Sequence, residues 1–219
     1  MNKLQQKFWE SENRKKRRTP DHPAVKAFAM PKVKIIEKVV KPNKNTTLLD
    51  VGCGNGYFTK PLSKIFKVKG VDFSEKMISI NPVKNCEVQD INNLKEKSNS
   101  FDVVFCSNLL HHLKNPNKGI SEMIRVSKKY VILSEPNRNN PLMFLFNLIK
   151  KEERGALKFN LKYLKKLVKR QGLKIVIART HGAIVPNKTP NFLIKILRIF
   201  DNFPALGFYN IVIAKKIKK

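Results

Sequence analysis

Three glycines at alternate positions, Gly52, Gly54 and Gly56, lie directly behind an apolar run in Leu48-Leu-Asp-Val-Gly-Cys-Gly-Asn-Gly-Tyr-Phe58. Glycine lets a backbone turn sharply, take positive φ and approach a ligand with no Cβ in between. A strand that runs into such a loop and then into a helix is a seat for a nucleotide-like ligand. The dinucleotide pattern G-x-G-x-x-G fits poorly, because its third glycine would fall on Tyr57, and the chain has no G-K-[ST] phosphate loop. Asp50, inside the motif, disfavours a diphosphate at that point and suits a cationic ligand, such as one bearing an ammonium and a sulfonium.

Further polar residues recur at the ends of apolar runs. Asp72, followed by Phe73 in Lys69-Gly-Val-Asp-Phe-Ser74, comes about 20 residues after the loop, where a carboxylate accepts hydrogen bonds from ribose hydroxyls. Asp90, in Val88-Gln-Asp-Ile91, is placed to take the exocyclic amine of an adenine. Ser107 and Asn108 end a fourth run at its carboxyl end, where ligands of open α/β sheets bind. His111 and His112 come next, and histidine suits a general base because it titrates near neutrality. As neighbours on a helix start they point about 100° apart, so one of the two faces the site. Weaker candidates are Asp21 and His22 in the Pro20-Asp-His-Pro23 break, Glu135 and Asn137 at the end of a fifth run, and His181.

These residues need a scaffold. Apolar, β-branched runs at Thr47 to Cys53, Val68 to Phe73, Cys86 to Asp90, Phe101 to Asn108 and Tyr130 to Asn137 read as strands. Helically spaced stretches between them, such as Tyr57 to Phe66 and Asn117 to Val126, imply parallel strands joined by right-handed crossovers. Leu173 to Thr180 and Tyr209 to Lys215 add two strands, the last antiparallel. Outside this alternation, Lys3 to Arg18 reads as a helix, broken by Pro20 and Pro23 before a second helix at about Pro31 to Val40. Pro141 to Ile149 and Asn191 to Phe200 are apolar on more than one helical face, so they must cover something.

At 219 residues one domain is the expectation: a helical arm over 1–45, a cofactor-binding half over 46–137 and a substrate-side half with a helical lid over 138–219. Cys53, Cys86 and Cys106 lack metal-ligand or disulfide spacing, so no metal is expected and the thiols read as reduced. No apolar run reaches a membrane span and the first residues lack a secretory core, which predicts a cytoplasmic protein. The net charge of +29 attracts polyanions, yet 36 of the 45 basic residues are Lys, whereas phosphate and base recognition favours Arg. The dispersed lysines fit a solvated surface, with weak nonspecific contact to RNA or an anionic membrane. Arg14 to Arg18 and Lys215 to Lys219 are the best candidates for anion contacts, and no obligate protein partner is indicated.

In the order of these motifs the sequence resembles the class I S-adenosylmethionine-dependent methyltransferases, and among them the group that includes the ubiquinone and menaquinone biosynthesis enzymes. The resemblance covers Thr47 to Asn137 by motif and the rest by element order. It implies a Rossmann-like three-layer α/β sandwich with a seven-stranded, mostly parallel sheet, an N-terminal helical arm and helical lid insertions. It also implies S-adenosyl-L-methionine as cofactor. The loop would contact the methionine part through Asp50, Gly52, Cys53, Gly54 and Gly56. Asp72, with Phe73 beside it, would hold the ribose, Asp90 and Ile91 the adenine, and Ser107 and Asn108 would close over the methionine end. The leading expectation is methyl transfer to a small-molecule or lipid-like acceptor under the apolar helices. An RNA-modifying methyltransferase and a non-catalytic binder of the cofactor are the alternatives.

Overall fold

The computed structural model describes residues 3–11, 16–203 and 206–217. Seven strands, β1 (Thr47–Val51), β2 (Lys67–Asp72), β3 (Cys86–Val88), β4 (Phe101–Ser107), β5 (Ser127–Pro136), β6 (Lys174–His181) and β7 (Tyr209–Lys215), form one sheet. Its order is β3-β2-β1-β4-β5-β7-β6. The first five pair in parallel, while β7 runs antiparallel to both β5 and β6. The expected mixed sheet with an antiparallel last strand is the one observed. The order reverses at β1 and β4, and the carboxyl ends of those neighbours open the crevice in which ligands of doubly wound sheets bind.

Strand alternation divides the core into two layers. Val103 and Phe105 of β4 join Leu48 and Ile132 on one face, against α2 (Pro23–Val40). Val104 and Cys106 join Leu49, Val51 and Val131 on the other, against α5 (Pro116–Val126) and α7 (Leu161–Arg170). Both helices begin as their sequences dictate. Asn115 accepts from Asn117 N at 3.1 Å, with Pro116 in the first turn, and Asn160 accepts from Tyr163 N at 2.8 Å; side-chain oxygens at such positions satisfy otherwise orphaned amides.

The arm differs from its expected form. α1 spans only Lys3–Trp9, and Arg14 and Lys15 lie outside the described residues. α2 starts at Pro23, not Pro31: the His22 ring accepts from Ala24 N at 3.2 Å, Pro23 takes the first turn, and Pro31 is carried inside the helix. Proline inside a helix costs about 3 kcal/mol. Here Val25, Phe28, Ala29, Lys32, Val33 and Ile36 all bury on one face, and that packing outweighs the lost hydrogen bond. The remaining helices are α3 (Thr59–Leu62), α4 (Glu75–Ser79), α6 (Pro141–Ile149) and α8 (Ile194–Arg198), with 3₁₀ turns at Leu110–His112, Lys151–Lys158, Asn191–Leu193 and Ile199–Asn202. The expected helices Tyr57 to Phe66 and Asn191 to Phe200 thus contract to α3, and to α8 flanked by turns.

One residue of each basic run bonds inward, while Lys16 and Lys215 are exposed. Arg18 donates to the carbonyls of Pro186 and Thr189 at 3.0 and 2.7 Å. Lys216 Nζ satisfies Asn99 Oδ1 and the Ile124 and Ser127 carbonyls. Both residues are occupied in tying segments together, and Lys218 and Lys219 lie outside the described residues.

Candidate active site

Gly52, Gly54 and Gly56 follow β1 with φ of +76°, +48° and +88°. At Gly54 a Cβ would meet only Asp72 Oδ2 and the Met77 methyl, both at 4.0 Å: the backbone there faces a cavity, and left-handed φ excludes most side chains from it. Gly52 differs, since a Cβ would lie 2.8 Å from Leu109. The loop is therefore clamped at its base against the segment after β4 and open at Gly54.

Asp50 and Asp72 stand beneath this loop, both buried. Asp50 accepts from Thr59 Oγ1 at 2.7 Å; Asp72 accepts from Gly54 N at 2.8 Å and Ser74 N at 2.9 Å. Burial pushes Asp50 up to about 7, with the Thr59 hydroxyl opposing and the Asp72 charge adding to the rise. Burial likewise raises Asp72 to about 6, against the lowering pull of the Ser74 and Gly54 amides and of Arg17. Two raised carboxyls on one cavity are a standing demand for a cation or for hydroxyl donors.

The cavity itself encloses about 90 Å³ and is lined by Asp50, Gly52, Cys53, Gly54, Asp72, Phe73, Ser107, Asn108 and His112, with Trp9, Arg17 and Tyr57. Along Gly52, Asp72, Phe73 and Leu109 it continues into a groove of about 550 Å³, where Asp90 and Ile91 lie. Asp90 is exposed and Ile91 is buried; one Asp90 oxygen accepts from Asn92 N and Nδ2 at 2.9 Å. On its other side, along Trp9, Arg17, Asn108 and His112, it continues into a second cavity of about 320 Å³. Met143, Phe146, Val185 and Tyr209 give that cavity apolar walls. Gly56 stands apart from the cavity lining, its Cβ position blocked by Asn81 Oδ1 at 2.7 Å.

Among the described residues, six buried polar atoms on these walls have no hydrogen-bond partner: Arg17 Nε, Ser107 Oγ, Asn108 Oδ1, His112 Nδ1, Asn147 Nδ2 and Asn147 Oδ1. Buried polar groups are seldom left so. Asn108 also holds φ of +52°, a conformation that asparagine tolerates better than most residues.

The two histidines have different surroundings. His111 is locked, its Nδ1 2.5 Å from Glu135 Oε2 and its Nε2 3.1 Å from Glu153 Oε2. Burial alone would lower its pKa, but Glu135 and then Glu153 overcome it and hold the ring at about 10. It is a buried cation between two carboxylates. Glu153 is the counterpart: burial would raise it, and His111 brings it down to about 2. His112 faces both cavities. Burial, then the neighbouring His111 charge, takes it down to about 3 while a hydrogen bond to the Glu152 backbone opposes. Its ring is neutral, with a lone pair free at Nδ1. Ligand atoms of His111, His112 and Glu153 lie within 4.8 Å of one another, a grouping built by the ion pair and the ring contact of 3.9 Å between the histidines.

The other sequence candidates are elsewhere or structural. Glu135 is fully buried and accepts from the Leu109 and Leu110 amides at 3.0 and 2.8 Å, so it fixes the turn that carries the histidines. Asn137 donates to the Gly207 carbonyl at 2.9 Å. Asp21 pairs with Lys60 and Lys26, His22 caps α2, and His181 is buried with its charge disfavoured by burial and by Lys32. Residues that sequence reading missed are Trp9, Asn147 and Glu153, while Arg17 belongs to the basic run named as a candidate for anion contacts. Arg17 lies over the rings of Tyr57 and Trp9, at 5.0 and 5.2 Å from their centroids, and its Nε is unpartnered.

Comparison with known proteins agrees with this arrangement. A methyltransferase domain family model matches residues 49–133. The chain is 34% identical over 107 residues to a ubiquinone biosynthesis O-methyltransferase of Coxiella burnetii, covering 44% of this chain and 46% of that protein. It is 33% identical over 127 residues to the protein of the same name from Hahella chejuensis, covering 52% of each. The chain thus spans about half the length of the curated relatives it matches. In structure it is similar to an S-adenosylmethionine-dependent methyltransferase from Aquifex aeolicus, with a TM-score of 0.63 and 18% identity over 90% of this chain and 95% of that one. The loop and the acid at the end of β2 both lie within residues 49–133, the part of the chain that matches the methyltransferase domain family.

Proposed function

We propose that the protein transfers a methyl group from S-adenosyl-L-methionine to a small, largely apolar acceptor. The observation that carries this is the meeting of two cavities at Asn108 and His112: the glycine-loop cavity on one side and the apolar-walled one on the other. When bound, the cofactor supplies a methyl group already activated by its sulfonium. The raised carboxyls of Asp50 and Asp72 suit such a ligand, which brings positive charge and ribose hydroxyls to them. Arg17 stands ready for the carboxylate at the methionine end, Ser107 and Asn108 for its polar atoms, and Asp90 and Ile91 for the base in the groove.

The remaining work is positioning, worth up to about 7 to 11 kcal/mol of barrier when two reactants are held in line, and removal of one proton. His112 receives that proton. A hydroxyl becomes strongly acidic once its oxygen is methylated, so a neutral ring with a low pKa suffices. Burial keeps His112 neutral, and the charge of His111, which has no free nitrogen, adds to it. The acceptor is read as small and lipid-like from the Met143, Phe146, Val185 and Tyr209 walls and from the names of the O-methyltransferase relatives. Residues 138–217 are its side of the molecule. No helix among the described residues is long and apolar enough to cross a membrane.

The test is incubation with tritium-labelled S-adenosylmethionine and fractionated cell extract, beside calorimetry of cofactor binding. Label is expected in the low-molecular-mass or lipid fraction. Label confined to RNA would replace the acceptor assignment, and cofactor binding with no transfer to any fraction would reduce the protein to a binder.

A further inference from the structure

Asn147 is the only polar residue of α6, whose sequence is Pro-Leu-Met-Phe-Leu-Phe-Asn-Leu-Ile. It is fully buried, on the helix face that also carries Met143. Neither its Nδ2 nor its Oδ1 has a hydrogen-bond partner. A buried amide that pairs with nothing has given up its bonds to water without replacement, and leucine would fill the same space without that loss. α6 is held without it: Asn140 accepts from Met143 N at 3.1 Å, and Asn140 Nδ2 donates to the Leu206 carbonyl at 2.9 Å. The amide lines the second cavity together with His112, with its own unpartnered Nδ1, and Asn108, with its unpartnered Oδ1.

These groups ask for different things. His112 Nδ1 and Asn108 Oδ1 only accept, so what enters beside them must carry a hydrogen: a hydroxyl or an amine. An amide both donates and accepts. We propose that Asn147 is a specificity-determining residue of the acceptor cavity, binding a second, neutral polar group of the acceptor that both gives and takes a hydrogen bond, a hydroxyl or carboxamide. The acceptor is then an apolar body with two polar points, one at His112 where methylation occurs and one at Asn147. A carboxylate or phosphate at the second point is disfavoured, since it only accepts and would leave the amide oxygen unpaired. This inference rests on the methyl-transfer reading above.

The test compares full-length Asn147→Leu and Asn147→Ala with the unsubstituted protein. Cofactor affinity is followed by calorimetry, stability by thermal unfolding, and transfer of tritium label to the low-molecular-mass extract fraction across a dilution series. A site built to hydrogen-bond a substrate group loses strongly when that bond cannot form. The expected result is unchanged cofactor affinity, a midpoint for Asn147→Leu at or above that of the parent, and transfer at high dilution lowered by about 10- to 100-fold, with recovery as extract is concentrated. Transfer by Asn147→Leu at the parent's rate overturns the assignment and leaves methyl transfer standing. Loss of stability or cofactor affinity in both variants makes Asn147 a structural residue and also overturns it. No transfer by the parent itself fails the methyl-transfer reading, and this inference with it.

Discussion

Replacing Glu135 with Gln removes one buried negative charge from beside His111 and little else. The side chain keeps its shape, and an oxygen remains to accept from the Leu109 and Leu110 amides. The loss falls on His111. A rise from 6.5 to about 10 in the fold corresponds to about 5 kcal/mol of preference for the charged ring, at about 1.4 kcal/mol per pH unit. Two carboxylates share it, and Glu135 is the nearer, at 2.5 Å against 3.1 Å for Glu153. About 3 kcal/mol is assigned to Glu135, at the lower end of what removing one partner of a buried pair costs. The sign follows from the direction: with the folded value above the unfolded one, the stability is fully present below pH 6.5 and is lost as pH rises through 10. The gap between parent and Glu135→Gln should therefore be about 3 kcal/mol at pH 6.5 and close towards pH 10. Urea unfolding at several pH values measures it, followed by the fluorescence of Trp9, the single tryptophan, which packs on His112. A gap that is constant from pH 6.5 to 10, or a substitution that costs nothing at pH 6.5, would refute the buried ion pair.

Three further outcomes are expected. Gly155→Ala places a Cβ 1.8 Å from the His111 carbonyl oxygen, an overlap that only backbone movement relieves; it should destabilise by about 3 kcal/mol or more, and parent-like urea unfolding would contradict the close approach. Cofactor affinity measured by calorimetry should fall as the pH drops from 7 to 5, as Asp50, held at about 7, and Asp72, held at about 6, take up protons. Asp72→Asn should make that fall shallower, and a flat profile in the parent between pH 7 and 5 would count against the two carboxylates as cofactor ligands. Lys32 is buried over the Phe28 ring at 3.5 Å and its charge is disfavoured by burial; Lys32→Met should leave stability unchanged or raise it by about 1 to 4 kcal/mol, whereas a clear loss in thermal unfolding would show the cation to be favourable.

What the sequence revealed follows from how parallel strands are buried. Strands covered on both faces must be nearly continuous in apolar residues, so β1, β4 and β5 announce themselves, and the residues at their carboxyl ends inherit a place on the crevice. Asp50, Asp72, Ser107 and Asn108 were legible in this way because each is adjacent in sequence to the strand that positions it. Trp9, Asn147 and Glu153 were not, since each reaches the same cavities from a segment whose packing is set by tertiary contacts, and Arg17 was legible only as one member of a basic run. Two of them left a trace: Asn147 is the one polar interruption of an apolar helix, and Glu153 is an acid in a chain with 16 acidic against 45 basic residues. The histidine pair was recognisable as a pair, but which ring was locked depended on Glu135 and Glu153, one 24 and the other 42 positions away along the chain. The start of α2 was misread because a proline inside a helix weighs heavily locally and little against a long buried face.

The place of β7 between β5 and β6 constrains how the molecule can be assembled as it is synthesised. Strands β1 to β5 pair with one another, so that part of the sheet can close while later residues are still being added. β6 has no such neighbour: its partner is β7, and the edge of β5 waits for the same strand. Until residues 209–215 have emerged, two rows of backbone amides and carbonyls stand open, each a template for intermolecular pairing. Aggregation during synthesis should therefore concentrate in the interval between the appearance of β6 and that of β7, and a ribosome stalled within it would hold the chain at its most adhesive.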